Sequence, residues 1–293
     1  MLCYGHYKPM PRFEYVRARS IAEALELLGQ PGTVNRPLAG GTDLLVYLRH
    51  EKAPFDRLVD ISRVPELKLI ERRDDRIVVG AAVTFAEAAE SPLLNRMASC
   101  LAEAARSVGG PAIRNAATLG GNVINAAPCA DSLPPLACLD AAAHLCSLAG
   151  ERSLPVSELV RGPHRSDIRP GELLTCITFP VPPDGARSAF LKLGRRNAQA
   201  ISRLSMAALG LTDPRGFVAQ VHLTPGAATP QIRRFTEVEG LLLGHLPTGD
   251  LRSEAGRMTA EVMIGTTGRR WSTEYKEVAI QALAERALRM VLC

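Results

Sequence analysis

The sequence predicts a mixed α+β fold with a strand-dominated middle and a helical C-terminal part. Short apolar runs bounded by turn residues recur between residues 141 and 178, which is typical of strands. Near the C-terminus, Val278, Ala282, Ala287 and Val291 follow one another near helical spacing, which favours a helix. Strands and helices in separate stretches are the pattern of an α+β fold.

The length of the chain and one proline-rich turn predict two domains. A chain of 293 residues suggests about two domains. Proline and glycine cluster in Pro182-Pro183-Asp184-Gly185, a composition typical of a linker or a long turn. We therefore expect domains at residues 1–181 and 186–293.

The first third of the chain combines capped helices with short extended runs. Ser20 and Glu23 form a capping box, so a helix is predicted from Ile21 to Leu28, where Gly29 ends it. A second capping box begins at Thr84. Extended runs are predicted at residues 35–38, 57–61 and 76–83, and a single long helix at 93–107.

The remaining elements follow the same reasoning. Residues 111–135 are rich in Gly, Asn, Pro and Ala, which predicts a loop or a place where the backbone approaches a ligand closely. Trp271 is expected to pack against the last helix. Strands are predicted at residues 144–148, 173–179, 189–193 and 217–223, and helices at 236–243, 250–263 and 273–290.

Composition excludes several classes of protein. The net charge of +5 is spread over isolated basic pairs, which does not favour nucleic-acid binding. Seven cysteines, an odd number with no C-x-x-C pair, argue against a disulfide framework and suit a reducing compartment. No apolar run is long enough for a signal peptide or a membrane span. We expect a cytoplasmic protein.

A glycine pair follows the extended run at residues 35–38. In Ala39-Gly40-Gly41-Thr42-Asp43 the glycines permit positive φ and a close backbone approach to an anion. Backbone N–H groups before a helix form an anion cradle, to which Thr42 adds a hydroxyl donor. Taken alone, such a segment is more often an ordinary turn.

A second glycine pair lies about eighty residues later, in Thr118-Leu119-Gly120-Gly121-Asn122. Asp131 follows and has two possible roles: it accepts hydrogen bonds from ribose or ribityl hydroxyls, or it caps a helix that starts at Leu133. Two such segments in one domain fit a ligand with two phosphates and two polar arms, which describes a dinucleotide.

Other familiar motifs are absent from the sequence. It contains neither a P-loop nor the G-x-G-x-x-G dinucleotide fingerprint. It also contains no H-E-x-x-H or paired-cysteine zinc pattern and no G-x-S-x-G nucleophile elbow. We assign no catalytic residue and no metal ligand.

Taken together, the glycine segments resemble the paired FAD motifs of the flavin subunit of molybdenum hydroxylases, the group of xanthine dehydrogenase and carbon monoxide dehydrogenase. Leu38–Leu44 and Ala117–Asn122, followed by Asp131, carry this resemblance. It extends in order over nearly the whole chain, and its further matches are Gly109–Asn115, Pro170–Leu174 and the F-x-K-x-x-x-R stretch Phe190–Arg196.

The resemblance implies a PCMH-type (vanillyl-alcohol-oxidase-like) FAD-binding domain followed by a C-terminal α+β domain. It also implies roles for individual residues. The cofactor-binding residues are then Leu38, Ala39, Gly40, Gly41, Thr42 and Asp43 around the pyrophosphate; Ala117, Thr118, Gly120, Gly121 and Asn122 on its other side; Asp131 at a polar arm; Leu173 or Leu174 at the flavin or adenine; and Lys192 near the isoalloxazine ring. Without the resemblance, Lys192 and Arg195 would be taken for solvent-exposed charges.

The function implied is that of an FAD-binding electron-transfer subunit, with the FAD held noncovalently. In such complexes a large partner subunit carries molybdopterin and a small one carries two [2Fe-2S] clusters, and FAD passes electrons to NAD or another acceptor. Two clusters need eight cysteine ligands, whereas this chain has seven and none at ferredoxin spacing. Cys100, Cys129, Cys138 and Cys146 are expected to be buried thiols rather than cluster ligands.

Two other functions remain open at this point. A free-standing FAD-dependent oxidoreductase would need a base above the flavin, and no His or Tyr stands out as a candidate. A non-catalytic flavin-binding assembly subunit would be expected to have degraded FAD motifs, and both glycine pairs are intact.

Overall fold

A short parallel sheet opens the fold. The computed structural model of the protein describes residues 12–50 and 55–293. Strands β1 (Glu14–Arg17), β2 (Asn35–Leu38) and β3 (Arg57–Asp60) pair in the order β1-β3-β2, all parallel. Helix α1 (Ile21–Leu28) follows β1 and α2 (Leu44–His50) follows β2, because parallel neighbours need a crossover between them.

A five-stranded antiparallel sheet comes next. Its strands are β4 (Ile70–Arg73), β5 (Arg76–Gly80), β6 (Ala142–Ser147), β7 (Gly150–Pro155) and β10 (Leu173–Pro180), and their order is β4-β5-β10-β6-β7. One face packs on helices through the largest hydrophobic core of the described residues. Strand β7 was not predicted from the sequence. It contains few apolar residues, so it lacks the alternation of apolar and polar residues that identifies a strand.

Seven helices and a small hairpin connect these strands. They are α3 (Phe85–Glu90), α4 (Pro92–Met97), α5 (Ser99–Ser107), α6 (Pro111–Ala116), α7 (Leu119–Asn125), α8 (Leu133–Cys138) and α9 (Val156–Leu159), with β8 (Val160–Gly162) and β9 (Arg165–Ser166). The prediction of a loop over 111–135 was therefore wrong for much of its length, since three short helices form there.

The single helix predicted over 93–107 was also wrong. Ala98 has φ −146° and ψ 54°, so the chain leaves helical geometry and divides into α4 and α5. Across the break, the backbone N–H of Cys100 donates to the Ser188 hydroxyl, and the Ser99 hydroxyl donates to the Ser188 carbonyl. Ser188, which is distant in sequence, thus provides hydrogen-bond partners for polar groups at the start of α5.

The C-terminal part is a three-stranded antiparallel sheet covered by helices. Its elements are β11 (Arg187–Leu193), β12 (Leu204–Thr212), β13 (Val218–Gly226), α10 (Thr236–Leu242), α11 (Gly249–Thr267) and α12 (Thr273–Leu292), with β12 central. Trp271, which was expected to pack against the last helix, is 90% exposed. The two strands predicted at 189–193 and 217–223 and the three predicted C-terminal helices are reproduced within four residues at each end.

Strand β12, which was not predicted, lies between two hydrophobic cores. Ala207 and Leu209 belong to the core under the five-stranded sheet, whereas Leu204, Met206 and Ala208 belong to the core under α10–α12. A strand buried on both faces is apolar throughout and lacks the alternation that identifies a half-buried strand. The domain division at residues 181 and 186 stays a prediction.

An ion-pair cluster that includes one buried carboxylate also joins the C-terminal part to the preceding one. Arg234 Nη1 donates to Asp140 Oδ2 at 2.7 Å, and its Nη2 donates to Glu239 Oε2 at 2.6 Å. Glu239 is only 3% exposed. A buried carboxylate needs such a partner, because its desolvation is otherwise uncompensated.

Replacing Arg234 with Met is expected to destabilise the fold by about 3–5 kcal/mol, because Glu239 would remain buried without its cation. In thermal denaturation this corresponds to a Tm lower by roughly 10 °C. The matched control is Arg233→Met. Arg233 pairs with the exposed Glu237, so its loss is expected to cost less than about 1 kcal/mol. Equal Tm losses in the two variants would contradict this account.

Candidate functional site

The two glycine segments meet in the structure. A Cβ placed on Gly40 would lie 2.0 Å from the Ala116 carbonyl oxygen and 2.9 Å from the Ala117 Cα. Only glycine permits two backbones to approach this closely. The segments that lie about eighty residues apart in sequence therefore form one surface.

The first segment is a tight turn between β2 and α2. Gly41 has φ +68°, a conformation that L side chains rarely adopt. The Leu45 N–H donates to the Gly41 carbonyl and the Tyr47 N–H to the Asp43 carbonyl, so α2 starts directly on the turn. Ala39, Gly40, Gly41 and Thr42 are half-buried and Asp43 is exposed, which leaves the turn accessible from one side.

The second segment is anchored on the end of β5. The Leu119 N–H donates to the Val83 carbonyl at 2.9 Å, and the Gly120 N–H donates to the Ala81 carbonyl at 3.0 Å. A Cβ on Gly120 would lie 2.6 Å from the Ala81 carbonyl oxygen. Gly120 is thus required by packing within the protein, a reason that the sequence alone does not reveal.

Gly121 has a different environment. The Thr118 hydroxyl accepts a hydrogen bond from the Gly121 N–H at 3.1 Å and caps α7. A Cβ on Gly121 would approach nothing except this hydroxyl, and the residue is exposed. Asn122 is also held in place, because its Oδ1 accepts a hydrogen bond from the Ser132 hydroxyl at 2.6 Å.

Asp131 is a buried acceptor and not a helix cap. Ser132 occupies the N-cap of α8, so the alternative role proposed for Asp131 was wrong. The Asp131 carboxylate pairs with Lys192 Nζ at 2.6 Å and accepts a hydrogen bond from the Ser202 hydroxyl. Burial raises the pKa of Asp131, whereas the Lys192 ammonium and the Ser202 hydroxyl act to lower it.

Lys192 comes from β11 in the C-terminal part and reaches across to the N-terminal part. Besides Asp131, it donates to the Ser107 carbonyl at 3.0 Å, and its side chain is 14% exposed. It is therefore not the solvent-exposed charge that the sequence alone would suggest. Arg195 is exposed.

Two neighbouring residues were missed by sequence reasoning. Ser202 lies in the loop between β11 and β12, far from both glycine segments in sequence, and nothing in its surroundings marked it. Cys129 is half-buried in the loop between α7 and α8 that also carries Asp131. Burial raises the pKa of Cys129, and the Asp131 carboxylate raises it further. The sequence offered one indication that Cys129 belongs to the site, namely its place two residues before Asp131.

Leu173 and Leu174 are both buried, at 2% and 3% exposure. Leu173 packs in the small core around α1, which Ala39 borders, and Leu174 belongs to the core under the five-stranded sheet. Leu173 and Ala39 of the first glycine segment therefore border the same small core. Contact of either leucine with a cofactor stays a prediction.

The residues present suit a dinucleotide with a diphosphate. The turn at Gly41 has positive φ and leads directly into α2, an arrangement that suits anion binding. The first N–H groups of α7, by contrast, already donate to Val83, Ala81 and Thr118. A carboxylate beside them supplies an acceptor for sugar hydroxyls. Fold and site together define an α+β protein in which two glycine turns meet on one surface.

Comparison with known proteins supplies the family. Residues 11–182 match the model of the FAD binding domain in molybdopterin dehydrogenase. The chain therefore belongs to this family of FAD-binding oxidoreductase chains, which confirms the resemblance noted from the sequence. Within the described residues, no helix is long and apolar enough to cross a membrane.

Individual relatives agree with the family. The putative xanthine dehydrogenase FAD-binding subunit XdhB of Escherichia coli is 36% identical over 218 residues, 74% of either chain. The 6-hydroxypseudooxynicotine dehydrogenase complex subunit alpha of Paenarthrobacter nicotinovorans is 31% identical over 96% of this chain and 95% of its own. A chain of carbon monoxide dehydrogenase from Hydrogenophaga pseudoflava superposes with a TM-score of 0.88 at 26% identity, covering 97% of this chain and 98% of that one. The fold class is thereby confirmed.

Replacing Lys192 with Met is expected to destabilise the protein by about 3–5 kcal/mol at pH 8, because Asp131 would be left buried without its cation. Loss of the ammonium raises the folded-state pKa of Asp131 further. The Asp131 carboxylate then ionises more readily in the unfolded chain than in the folded protein. The free energy of unfolding therefore falls as the pH rises from the pKa of Asp131 in the unfolded chain to its pKa in the folded protein. Denaturant titrations at pH 5 and pH 8 measure this difference.

The control for this prediction is the double variant Asp131→Asn with Lys192→Met, which has no buried carboxylate at this position. The additional pH dependence should disappear in it. A Lys192→Met variant whose stability loss is the same at both pH values would contradict the assigned electrostatics.

Proposed function

We propose that this chain is the FAD-binding, electron-transferring subunit of a heteromeric molybdenum hydroxylase. In this proposal it accepts electrons from [2Fe-2S] clusters on a small partner subunit and passes them to NAD or another acceptor. The observation that carries the proposal is the contact of the two glycine segments at Gly40, in a chain of this FAD-binding family.

The geometry of the glycine segments supports a cofactor-binding role for them. The backbone at residues 38–43 would hold the FAD pyrophosphate, and residues 117–122 would close the other side. The half-buried Thr42 would add a hydroxyl to this surface. Thr118 is buried and holds the Gly121 N–H, and Gly121 keeps one side of the α7 start free of a side chain. Bound FAD would supply the redox chemistry, while the protein supplies binding and electrostatics.

Asp131 and Lys192 would serve the polar arm and the ring of the cofactor. The buried carboxylate of Asp131 is an acceptor for ribityl or ribose hydroxyls. Lys192 keeps a positive charge beside it, and such a charge near a flavin favours its anionic reduced form. Since the two groups pair with each other at 2.6 Å, each orients the other for its contact.

The dependence on partner subunits rests on what this chain lacks. Seven cysteines without ferredoxin spacing do not provide ligands for two [2Fe-2S] clusters. Of the four cysteines expected to be buried thiols, Cys100 and Cys138 are fully buried in the core, whereas Cys129 and Cys146 are half-buried. The relative from Paenarthrobacter nicotinovorans is named as a subunit of a dehydrogenase complex. We propose that molybdopterin and the clusters reside on a large and a small partner.

We expect Gly41→Val and Gly121→Val to lose FAD binding. At Gly41 the new side chain meets a positive φ, and at Gly121 it enters the surface that would face the cofactor. Wild-type protein should be yellow, and acid precipitation should release its flavin into the supernatant because FAD is bound noncovalently. Flavin content by absorbance is the measurement.

A matched control for Gly121→Val is Gly265→Val, which alters another exposed helical glycine with open space around it. This variant should keep its FAD, and both should melt within a few degrees of wild type. Full FAD occupancy in the Gly121 variant would show that the site lies elsewhere. Flavin that stays in the acid pellet would contradict noncovalent binding.

The isolated chain is expected to show at most NADH–dye electron transfer and no hydroxylation of a purine, aldehyde or N-heterocycle. The chemical reason is that substrate hydroxylation in this proposal occurs at molybdenum on another subunit. Steady-state assays of the isolated chain and of the reconstituted complex measure both activities. Hydroxylation by the isolated, metal-free chain at the rate of the complex would refute the subunit assignment.

A further inference from the structure

The outer face of the five-stranded sheet, opposite its helix-covered core, holds a histidine in one protonation state. The Thr178 hydroxyl oxygen accepts hydrogen bonds from Arg76 Nε at 3.2 Å and from Arg76 Nη2 at 3.0 Å. Both lone pairs are then used, so the hydroxyl donates its own hydrogen to His144 Nε2, which lies 2.9 Å away. A nitrogen that accepts this hydrogen bond is unprotonated. His144 is therefore neutral, with its proton on Nδ1.

The surroundings of His144 contain charges of both signs. The titratable and charged side chains on this face are Glu71 and Arg73, paired with each other, on β4; Arg76 on β5; Cys146 on β6; Glu151 and Arg152, the latter paired with Glu172, on β7; and Cys176 on β10. Helix α1 contributes Ile21, which is uncharged. Burial lowers the pKa of His144, the Arg76 charge lowers it further, and Glu151 acts to raise it.

Protonation of His144 breaks this chain of hydrogen bonds. An imidazolium has two N–H donors and no acceptor, so the Thr178 hydroxyl loses the group to which it donates. The hydroxyl must turn and give up one of its bonds from Arg76. In addition, the new positive charge lies on the same threonine as the Arg76 guanidinium. Since Arg76 is on β5, Thr178 on β10 and His144 on β6, the cost falls on the contacts that β10 makes with both neighbours.

Strand β10 connects His144 to the second glycine segment. A β-bulge at Thr175 interrupts its pairing with β6. There the Thr175 hydroxyl donates to the His144 carbonyl at 3.1 Å, and the Thr175 carbonyl accepts from the Ala81 N–H at 2.9 Å. The Ala81 carbonyl in turn accepts from the Gly120 N–H at 3.0 Å. The position of Gly120 therefore depends on β10 at its bulge, which His144 holds from the other side.

The two cysteines of this face do not titrate together with the histidine. Burial raises the pKa of Cys146 and of Cys176, so both thiols keep their protons in the range where histidine changes charge. The Cys146 Sγ lies 3.7 Å from the Thr175 hydroxyl and remains a neutral neighbour of the bulge. Protonation of His144 is thus the change of charge that acts on β10 from this side.

We propose that His144 is a proton-operated switch for cofactor binding: its protonation loosens β10 at the bulge, and the second glycine segment then holds FAD less tightly. The proposal rests on the proposed function, since it assigns a regulation to the cofactor site stated there. Protonation and binding are linked reciprocally, so bound FAD must make His144 harder to protonate by the same factor. FAD affinity is therefore full above the pKa of His144 in the FAD-free protein and falls as the pH is lowered toward its pKa in the FAD-bound protein.

Nitrogen NMR of the full-length chain with labelled histidine tests the switch directly. The chain has six histidines, and the His144 signals are identified by their loss in His144→Gln. We expect a proton on Nδ1 and none on Nε2 near neutral pH, and a lower pKa of His144 in the FAD-loaded protein than in the FAD-free protein. A proton on Nε2 near neutral pH, or the same pKa with and without FAD, would overturn the proposal.

The pH dependence of FAD affinity gives a second readout. Fluorescence titration of the wild-type chain with FAD should show affinity at least about fivefold weaker at pH 5.5 than at pH 8. The variant His144→Gln cannot gain a proton, and its amide oxygen can still accept from Thr178, so it should bind like wild type at pH 8 and lose much of this dependence. Any contribution from Asp131 stays in the variant and is thereby separated.

The matched control is His245→Gln, which changes an exposed histidine in the loop between α10 and α11 and should keep the wild-type pH dependence. A His144→Gln variant with the full wild-type pH dependence would overturn the switch and leave FAD binding intact. Failure of the wild-type chain to bind FAD at any pH would instead overturn the proposed function, and the switch with it.

Discussion

The contact between Gly40 and the backbone of Ala116 and Ala117 is the constraint on which the rest of the site depends. It fixes the end of the parallel sheet against the helices that precede α7. Because neither side of the contact has a side chain that can adjust, the two turns keep one relative position. The turn before α2 is thereby held against the chain that leads into α7, and the first N–H groups of α7 donate to Val83, Ala81 and Thr118.

A second set of contacts connects this surface to the C-terminal part. Lys192 and Ser202 both reach Asp131, and they come from either end of the loop that joins β11 to β12. A site composed of the glycine turns alone would belong to the N-terminal part. With Asp131 held from across the boundary, the position of this carboxylate depends on both parts of the chain.

Much of this organisation is predictable from sequence, and the exceptions have physical reasons. The capping residues at Ser20 and Thr84 marked their helices correctly, because a cap is a local interaction. Strand β12 was missed because burial on both faces removes alternation. The break at Ala98 depends on Ser188, ninety residues away in sequence, and no local pattern records such a contact. The glycine pairs were found, yet the sequence could not distinguish Gly120, which packs on Ala81, from Gly121, which faces open space.

Strand β12 has a consequence for how the molecule loses its structure. Alternate residues of this one strand complete two different cores, so neither core survives intact when the strand is displaced. The parts on either side of residues 181–186 are consequently coupled in unfolding, and they are expected to melt cooperatively rather than as independent modules. A chain severed in that turn would separate two halves that each expose a strand-sized apolar surface, and such surfaces aggregate.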